Sequence, residues 1–201
     1  MMTPLLPRSR QLLIDLAVNC LGPVCLFCVK VAQRHSNRQQ LAGCNHVGAG
    51  VTAGRDLEIY NDGLIKIGDQ VSMASRVLLS SYRGGSISIG QHSFLGDNVK
   101  IVSERANVSL GDGCLIAENV SIRASNHGTR SGTPMRLQPN DAADISIGND
   151  VWIGHGVMVL AGSSIAEGCV VGANSVVRGV TEPNTIYAGV PIRKIRSRSD
   201  E

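Results

Sequence analysis

Histidine and cysteine are the side chains in this 201-residue chain best suited to move protons, ligate metals or attack carbon. There are five histidines: His35, His46, His92, His127 and His155. A free imidazole titrates near ~6.5, so its neutral form can take a proton from a hydroxyl at physiological pH. His127 stands in a long polar stretch, ASNHGTRSGTPMRLQPNDAAD, which contains Pro134 and Pro139 and too few apolar residues to build a core. Of the six cysteines, Cys20, Cys25 and Cys28 share one apolar segment, and Cys44, Cys114 and Cys169 are scattered. Cys25 and Cys28 form a CxxC without a second pair. The cysteines therefore read as buried thiols of a reducing compartment, not as a zinc site or a disulfide framework.

The elements that must position these groups are legible as a repeat. Aliphatic residues recur every six positions: Ile147, Ile153, Val159, Ile165, Val171 and Val177, often followed by glycine. The register runs backward with breaks through Leu110, Ile116 and Ile122, then Ile89, Leu95 and Ile101, then Ile67, Met73 and Leu79, then Val47, Ala53 and Ile59. A period of six fits neither a helix nor a plain alternating strand. It fits a short strand plus a corner, with one inward side chain per unit and three units per eighteen-residue coil. Only 3% of residues are aromatic against 43% hydrophobic, and a narrow aliphatic prism accounts for that imbalance. Coil starts at Val47, Ile67, Ile89, Leu110, Ile147 and Ile165 lie 20, 22, 21, 37 and 18 residues apart. The 37-residue step holds a nineteen-residue excursion, roughly Ala124 to Asp144, and a long loop leaving a regular solenoid is usually functional.

The net charge of +3 is too small to imply nucleic acid. The run Arg193, Lys194, Arg196, Arg198 reads equally as a solvated tail or as an anion contact. The segment from Leu12 to Val31 is apolar but broken by Asp15, Asn19 and Pro23. It lacks a cleavage site and is short for a membrane span, so it predicts a packed or interfacial helix.

The tandem [LIV]-G-x-x-x-x units, with SNHG opening the loop, IGNDVWIGHGV after it and AGVPIRKIR at the end, resemble the hexapeptide-repeat acyltransferases. The match is strongest to those that O-acetylate sugars, capsules and lipopolysaccharides. The resemblance spans about Val47 to Arg196. It implies an all-β solenoid, a left-handed parallel β-helix over 46–182 with the loop at 124–144. An apolar, helical segment over 1–45 and a tail over 183–201 flank it. It further implies acetyl-CoA as co-substrate, no metal, a homotrimer with sites between subunits, a carbohydrate acceptor and a cytoplasmic location with peripheral contact at the inner membrane face.

The resemblance also assigns roles to residues. His127 is the general base, its partner being a backbone carbonyl, Asn126 or Glu118. An acceptor-binding asparagine one coil earlier falls near Asp97, with Asn98 beside it; Asn126 is a third acceptor candidate. His155, Ala173, Arg178, Arg193 and Lys194 lie on the coenzyme side, where Gly154, Gly156, Ala161 and Gly172 would let pantetheine approach closely. Trp152, next to inward Ile153, points outward to a subunit interface or the site. The lack of a Cys or Ser nucleophile arrangement favours direct attack. Serine or amino-sugar acetylation, and a non-catalytic solenoid binding module, are the competing functions.

Overall fold

The computed structural model describes residues 39–200. His35, Cys20, Cys25, Cys28 and the apolar segment from Leu12 to Val31 lie outside the described residues, as does most of the expected helical region. Among the described residues no helix is long and apolar enough to cross a membrane.

After a short 3-10 turn at Leu41–Gly43, the chain winds as a parallel β-helix with three faces. The first face stacks His46–Val47, Leu64–Ile67, Ser86–Ile89, Asn107–Leu110, Ile145–Ile147 and Ser164–Ile165. The second stacks Thr52–Ala53, Ser72–Met73, Phe94–Leu95, Leu115–Ile116, Trp152–Ile153, Val170–Val171 and Thr185–Ala188. The third stacks Glu58–Asn61, Leu78–Tyr82, Lys100–Glu104, Ser121–Arg123, Met158–Val159 and Val176–Val177. His46 lies in a strand, opposite Lys66, and not at a corner; His92 does occupy a corner, with φ +58.

The six-residue register is met rung by rung. Val47, Ile67, Ile89, Leu110, Ile147 and Ile165 are successive partners on the first face. Ala53, Met73, Leu95, Ile116, Ile153 and Val171 align on the second, and Ile59, Leu79, Ile101, Ile122, Val159 and Val177 on the third. From the second coil onward these side chains are buried, and apolar burial of this kind is the main stabilising term. Large rings stay off the column: Phe94 and Trp152 point outward, and Tyr187 closes the last rung of the second face. Ile116, fully buried in mid-stack, sets the first prediction. Ile116→Ala is expected to destabilise the fold by about 2–5 kcal/mol, read from urea unfolding, because the rigid coils above and below cannot collapse into the gap.

The segment expected as a tail is structured. Thr185–Ala188 adds a rung to the second face, and Arg193–Ser197 pairs antiparallel with it. The antiparallel strand ends the repeat, since no further coil can stack on it in register.

Every departure from an eighteen-residue coil falls at the same corner, the third, between the third face and the first face of the next coil. The additions there are Tyr82–Gly85 in one coil, Glu104–Ala106 in the next, and then the long loop. Buried hydroxyls tie these wider turns. Ser81 Oγ donates to the Gly85 carbonyl at 2.8 Å, and Ser103 Oγ to the Ala106 carbonyl at 2.5 Å.

Candidate active site

The long loop is a pinned hairpin. Its base is a two-residue antiparallel ladder, Ser125 opposite Ala142 and Asn126 opposite Asp141, closed by Ala143 N–H to the Ala124 carbonyl at 3.0 Å. Its tip carries a 3-10 turn, Met135–Leu137. Gln138 fastens that tip from within: its side-chain oxygen accepts from Arg130 N–H at 2.9 Å, and its amide donates to the carbonyls of Arg130 and Thr133 at 2.8 and 2.6 Å. His127 directly follows the ladder, where the chain leaves a fixed register.

A groove of about 660 Å³ runs along the third corner, lined by His127, Tyr82, Arg83, Glu104, Arg105 and residues Arg136 to Asn140 of the loop. Its floor holds a buried carboxylate. Glu104 is 1% exposed; its Oε1 accepts from Arg83 Nη1 at 3.0 Å. Its Oε2 accepts from Asn140 Nδ2 at 2.6 Å and from the hydroxyls of Tyr82 and Ser125, both at 3.2 Å. Burial pushes this carboxyl upward, but the bonds from Asn140, Ser125 and Tyr82, with the Arg83 charge, outweigh it and hold the group below its usual value. The Tyr82 phenol is raised by its burial and by the Glu104 charge beside it. Glu104 thus joins the solenoid wall to both arms of the loop, since Ser125 lies on one and Asn140 on the other.

Among the described residues no hydrogen bond reaches the His127 ring. Asn126 is held in the ladder opposite Asp141, and Glu118 is engaged elsewhere: its Oε1 lies 2.9 Å from His155 Nδ1. The two side chains named as partners of His127 do not orient it within one chain. Glu118's carboxyl is lowered by its own backbone N–H and then by His155.

His155 and Glu118 belong to the second corner, between the second and third faces. Backbone bonds there link Asn119 N–H to the Asp97 carbonyl, Gly156 N–H to the Glu118 carbonyl and Asn174 N–H to the His155 carbonyl, at 2.9, 3.1 and 2.7 Å. Asp97, Glu118, His155 and Ala173 therefore stack as one column. Asp97 Oδ1 accepts from Ser75 N–H at 2.8 Å, and Asn98 Nδ2 donates to Asn119 Oδ1 at 2.8 Å, so both acceptor candidates are also corner ties. A channel of about 400 Å³ opens on this column, walled by Trp152, Gly154, His155, Gly172 and Ala173 among others. Close approach there depends on a missing side chain at Gly154, where a Cβ would stand 2.8 Å from Ala173 N.

Arg178 is exposed at the third corner, beyond the loop. Arg193 and Lys194 lie on the terminal antiparallel strand; Lys194 Nζ reaches Glu182 Oε2 at 2.5 Å, and Arg193 Nη1 donates to its neighbour's carbonyl at 3.2 Å. One chain thus gathers His127 at the third corner and His155, Ala173, Asp97 and Asn98 at the second. The whole third face separates the two groups. Sequence reasoning passed over Glu104, Asn140, Arg83, Arg105 and Arg136. The signal was there: Arg83 and Arg105 fall within the short insertions that interrupt the repeat just before the long loop.

Comparison with known proteins decides the family. Residues 144–179 match the model described as bacterial transferase hexapeptide (six repeats), and residues 86–124 match that of the hexapeptide repeat of succinyl-transferase. A putative lipopolysaccharide biosynthesis O-acetyl transferase, WbbJ of Escherichia coli K12, is 36% identical over 151 residues, covering 71% of this chain and 76% of the relative. The chain belongs to the hexapeptide-repeat acyltransferases. This acyltransferase is also 37% identical over 120 residues to the galactoside O-acetyltransferase of the same organism, covering 58% of this chain and 57% of that one. Its fold matches AntD, an N-acyltransferase from Bacillus cereus solved with dTDP-4-amino-4,6-dideoxyglucose and Coenzyme A. That TM-score is 0.73 at 24% identity, over 81% of this chain and 88% of that one. The enzyme is an acetyltransferase of this family, and its two corner sites are the places where that chemistry has side chains to act with.

Proposed function

We propose that the enzyme moves an acetyl group from acetyl-CoA to a carbohydrate hydroxyl, with His127 as the general base. The observation that carries this reading is the split of the candidate residues between two corners of the prism. One corner offers a base beside a polar groove, and the other a slender channel of small residues. A homotrimer would set the third corner of one subunit against the second corner of the next, completing each site between chains. The names of the relatives, a galactoside and a lipopolysaccharide O-acetyltransferase, support a sugar acceptor over serine or an amino sugar.

Acetyl-CoA supplies the acetyl group as a thioester. His127 takes the acceptor's proton as that oxygen bonds to the carbonyl carbon. As the carbon–sulfur bond breaks, the imidazolium returns the proton to the departing thiolate, leaving ester and free thiol. His155 and Ala173 flank the pantetheine arm, with Glu118 fixing the His155 ring. Arg178, Arg193 and Lys194 meet the phosphates, and Asp97, Asn98 and Asn126 contact the acceptor.

The test is transfer of label from acetyl-CoA to a panel of sugars, serine and amino sugars. Transfer to serine or amino nitrogen alone would move the enzyme to that class, and no transfer with no coenzyme binding would leave a bare solenoid. Subunit mixing tests the shared site. His127→Ala and Ala173→Trp are each expected to be inactive alone, while co-refolded mixtures regain about a quarter of wild-type activity, as random trimers require. No recovery in correctly folded mixtures would rule out a site between subunits.

A further inference from the structure

The groove beside His127 carries more positive charge than a neutral sugar would need. Arg83, Arg105 and Arg136 line it, and Glu104 is the one carboxylate among its lining residues. That carboxylate is turned inward and filled: both oxygens accept from the protein, and the residue is 1% exposed. Arg83 gives one nitrogen to it and stays 59% exposed along its side chain. Arg105 and Arg136 are exposed and have no hydrogen-bond or ion-pair partner among the described residues. The loop's own acids, Asp141 and Asp144, do not line the groove; Asp144 is taken by the Asn107 amide at 2.7 Å.

The placement of these arginines is the second observation. Arg83 and Arg105 hold equivalent third-corner places on successive coils, each with left-handed backbone, φ +53 and φ +55. Glycine or asparagine fills such places with less strain. Arg136 approaches from the loop, on the other side of His127. A guanidinium fork matches the paired oxygens of a carboxylate or phosphate, and a neutral ring offers it only hydroxyls.

We infer that the acceptor bears an anionic group, a carboxylate or a phosphate, close to the hydroxyl that is acetylated, and that Arg105 and Arg136, with the outer face of Arg83, hold it. This rests on the reading of His127 as the base at this groove.

The experiment uses the full-length enzyme with acetyl-CoA and three matched acceptors: methyl galactoside, methyl galacturonoside and galactose 1-phosphate. Initial rates give kcat/KM, and calorimetry in the presence of CoA gives acceptor affinity even where turnover is slow. At least one anionic acceptor is expected to exceed the neutral one by about tenfold or more, the scale of one charge-assisted contact. That advantage should shrink as salt rises. A lead for galacturonoside alone identifies a carboxylate, and a lead for the phosphate alone identifies a phosphoryl group. Arg105→Gln and Arg136→Gln are each expected to collapse the anionic-to-neutral ratio with KM for acetyl-CoA unchanged. Equal binding and turnover of all three acceptors would overturn the inference, as would arginine variants that weaken acetyl-CoA and leave the ratio intact. His127→Ala separates the two claims. If it stays active while the ratio still depends on the arginines, the base assignment fails and the anion site stands.

Discussion

His127→Ala is expected to lower kcat by about 100-fold to 10,000-fold, the range for loss of a general base, while leaving coenzyme affinity and fold in place. The three outcomes separate because of where the residue sits. His127 is exposed at the mouth of a groove, so truncation opens no cavity, and the change in unfolding free energy should stay within about 0.5 kcal/mol. The channel with His155, Gly154 and Ala173 is built on a different corner, so binding of CoA should persist. An added small imidazole should restore part of the lost rate, because the ring's place is left open to solvent; a merely structural histidine would not respond. Turnover within about threefold of wild type would remove His127 from the mechanism, since a base that supplies even the least of the expected effect cannot be lost so cheaply.

The fold was legible in the sequence because one physical demand repeats. Each inward position must be aliphatic and each corner must turn, so a period of six is written into Ile147, Ile153, Val159 and their successors. The pairing of Ile153 with Ile116 and Val171 follows from that period alone. Corner chemistry was less legible, because Gln70, Arg76, Arg83, His92 and Arg105 take left-handed backbone as freely as the expected asparagines do. The end of the solenoid was misplaced for a related reason. Thr185–Ala188 keeps the inward pattern of a rung, but the step from Val177 to Tyr187 breaks the six-residue count. For the site, the loop and His127 stood out as an interruption of the period. The partners did not, since Glu104 meets Asn140 across 36 positions and nothing local announces the contact. Glu118 was named for the right corner chemistry on the wrong histidine. It lies nine residues before His127 in the chain, yet coil stacking sets it beside His155, 37 residues later.

Glu104→Ala should be the most damaging single change outside the aliphatic column, at about 3–5 kcal/mol, and should cost activity in proportion to what it does to the loop. The carboxylate is the shared acceptor for Asn140, Ser125 and Tyr82. Its removal leaves buried donors on both arms of the hairpin with nothing to meet. Arg83 loses its partner too, but it is largely exposed and can return to water, so the penalty falls on the hairpin base. Glu104→Gln keeps the shape and isolates the charge. Its amide would present donors to groups that already donate, so a loss of about 1–3 kcal/mol remains. Where that variant is still folded by circular dichroism, kcat should fall about tenfold or more through misplacement of His127, with KM for acetyl-CoA unaffected. Acid provides a check that a purely steric role would not pass. The folded-state pKa of Glu104 lies below its ordinary value, so its ionised form contributes stability fully above the unfolded value, near ~4.3. That contribution drains away as pH falls through the folded value. Urea unfolding of wild type and Glu104→Gln should therefore show a constant gap from about pH 8 to pH 5 and a narrowing one below about pH 4. A gap that stays the same into strong acid would mean that the buried carboxylate's charge does not hold the loop.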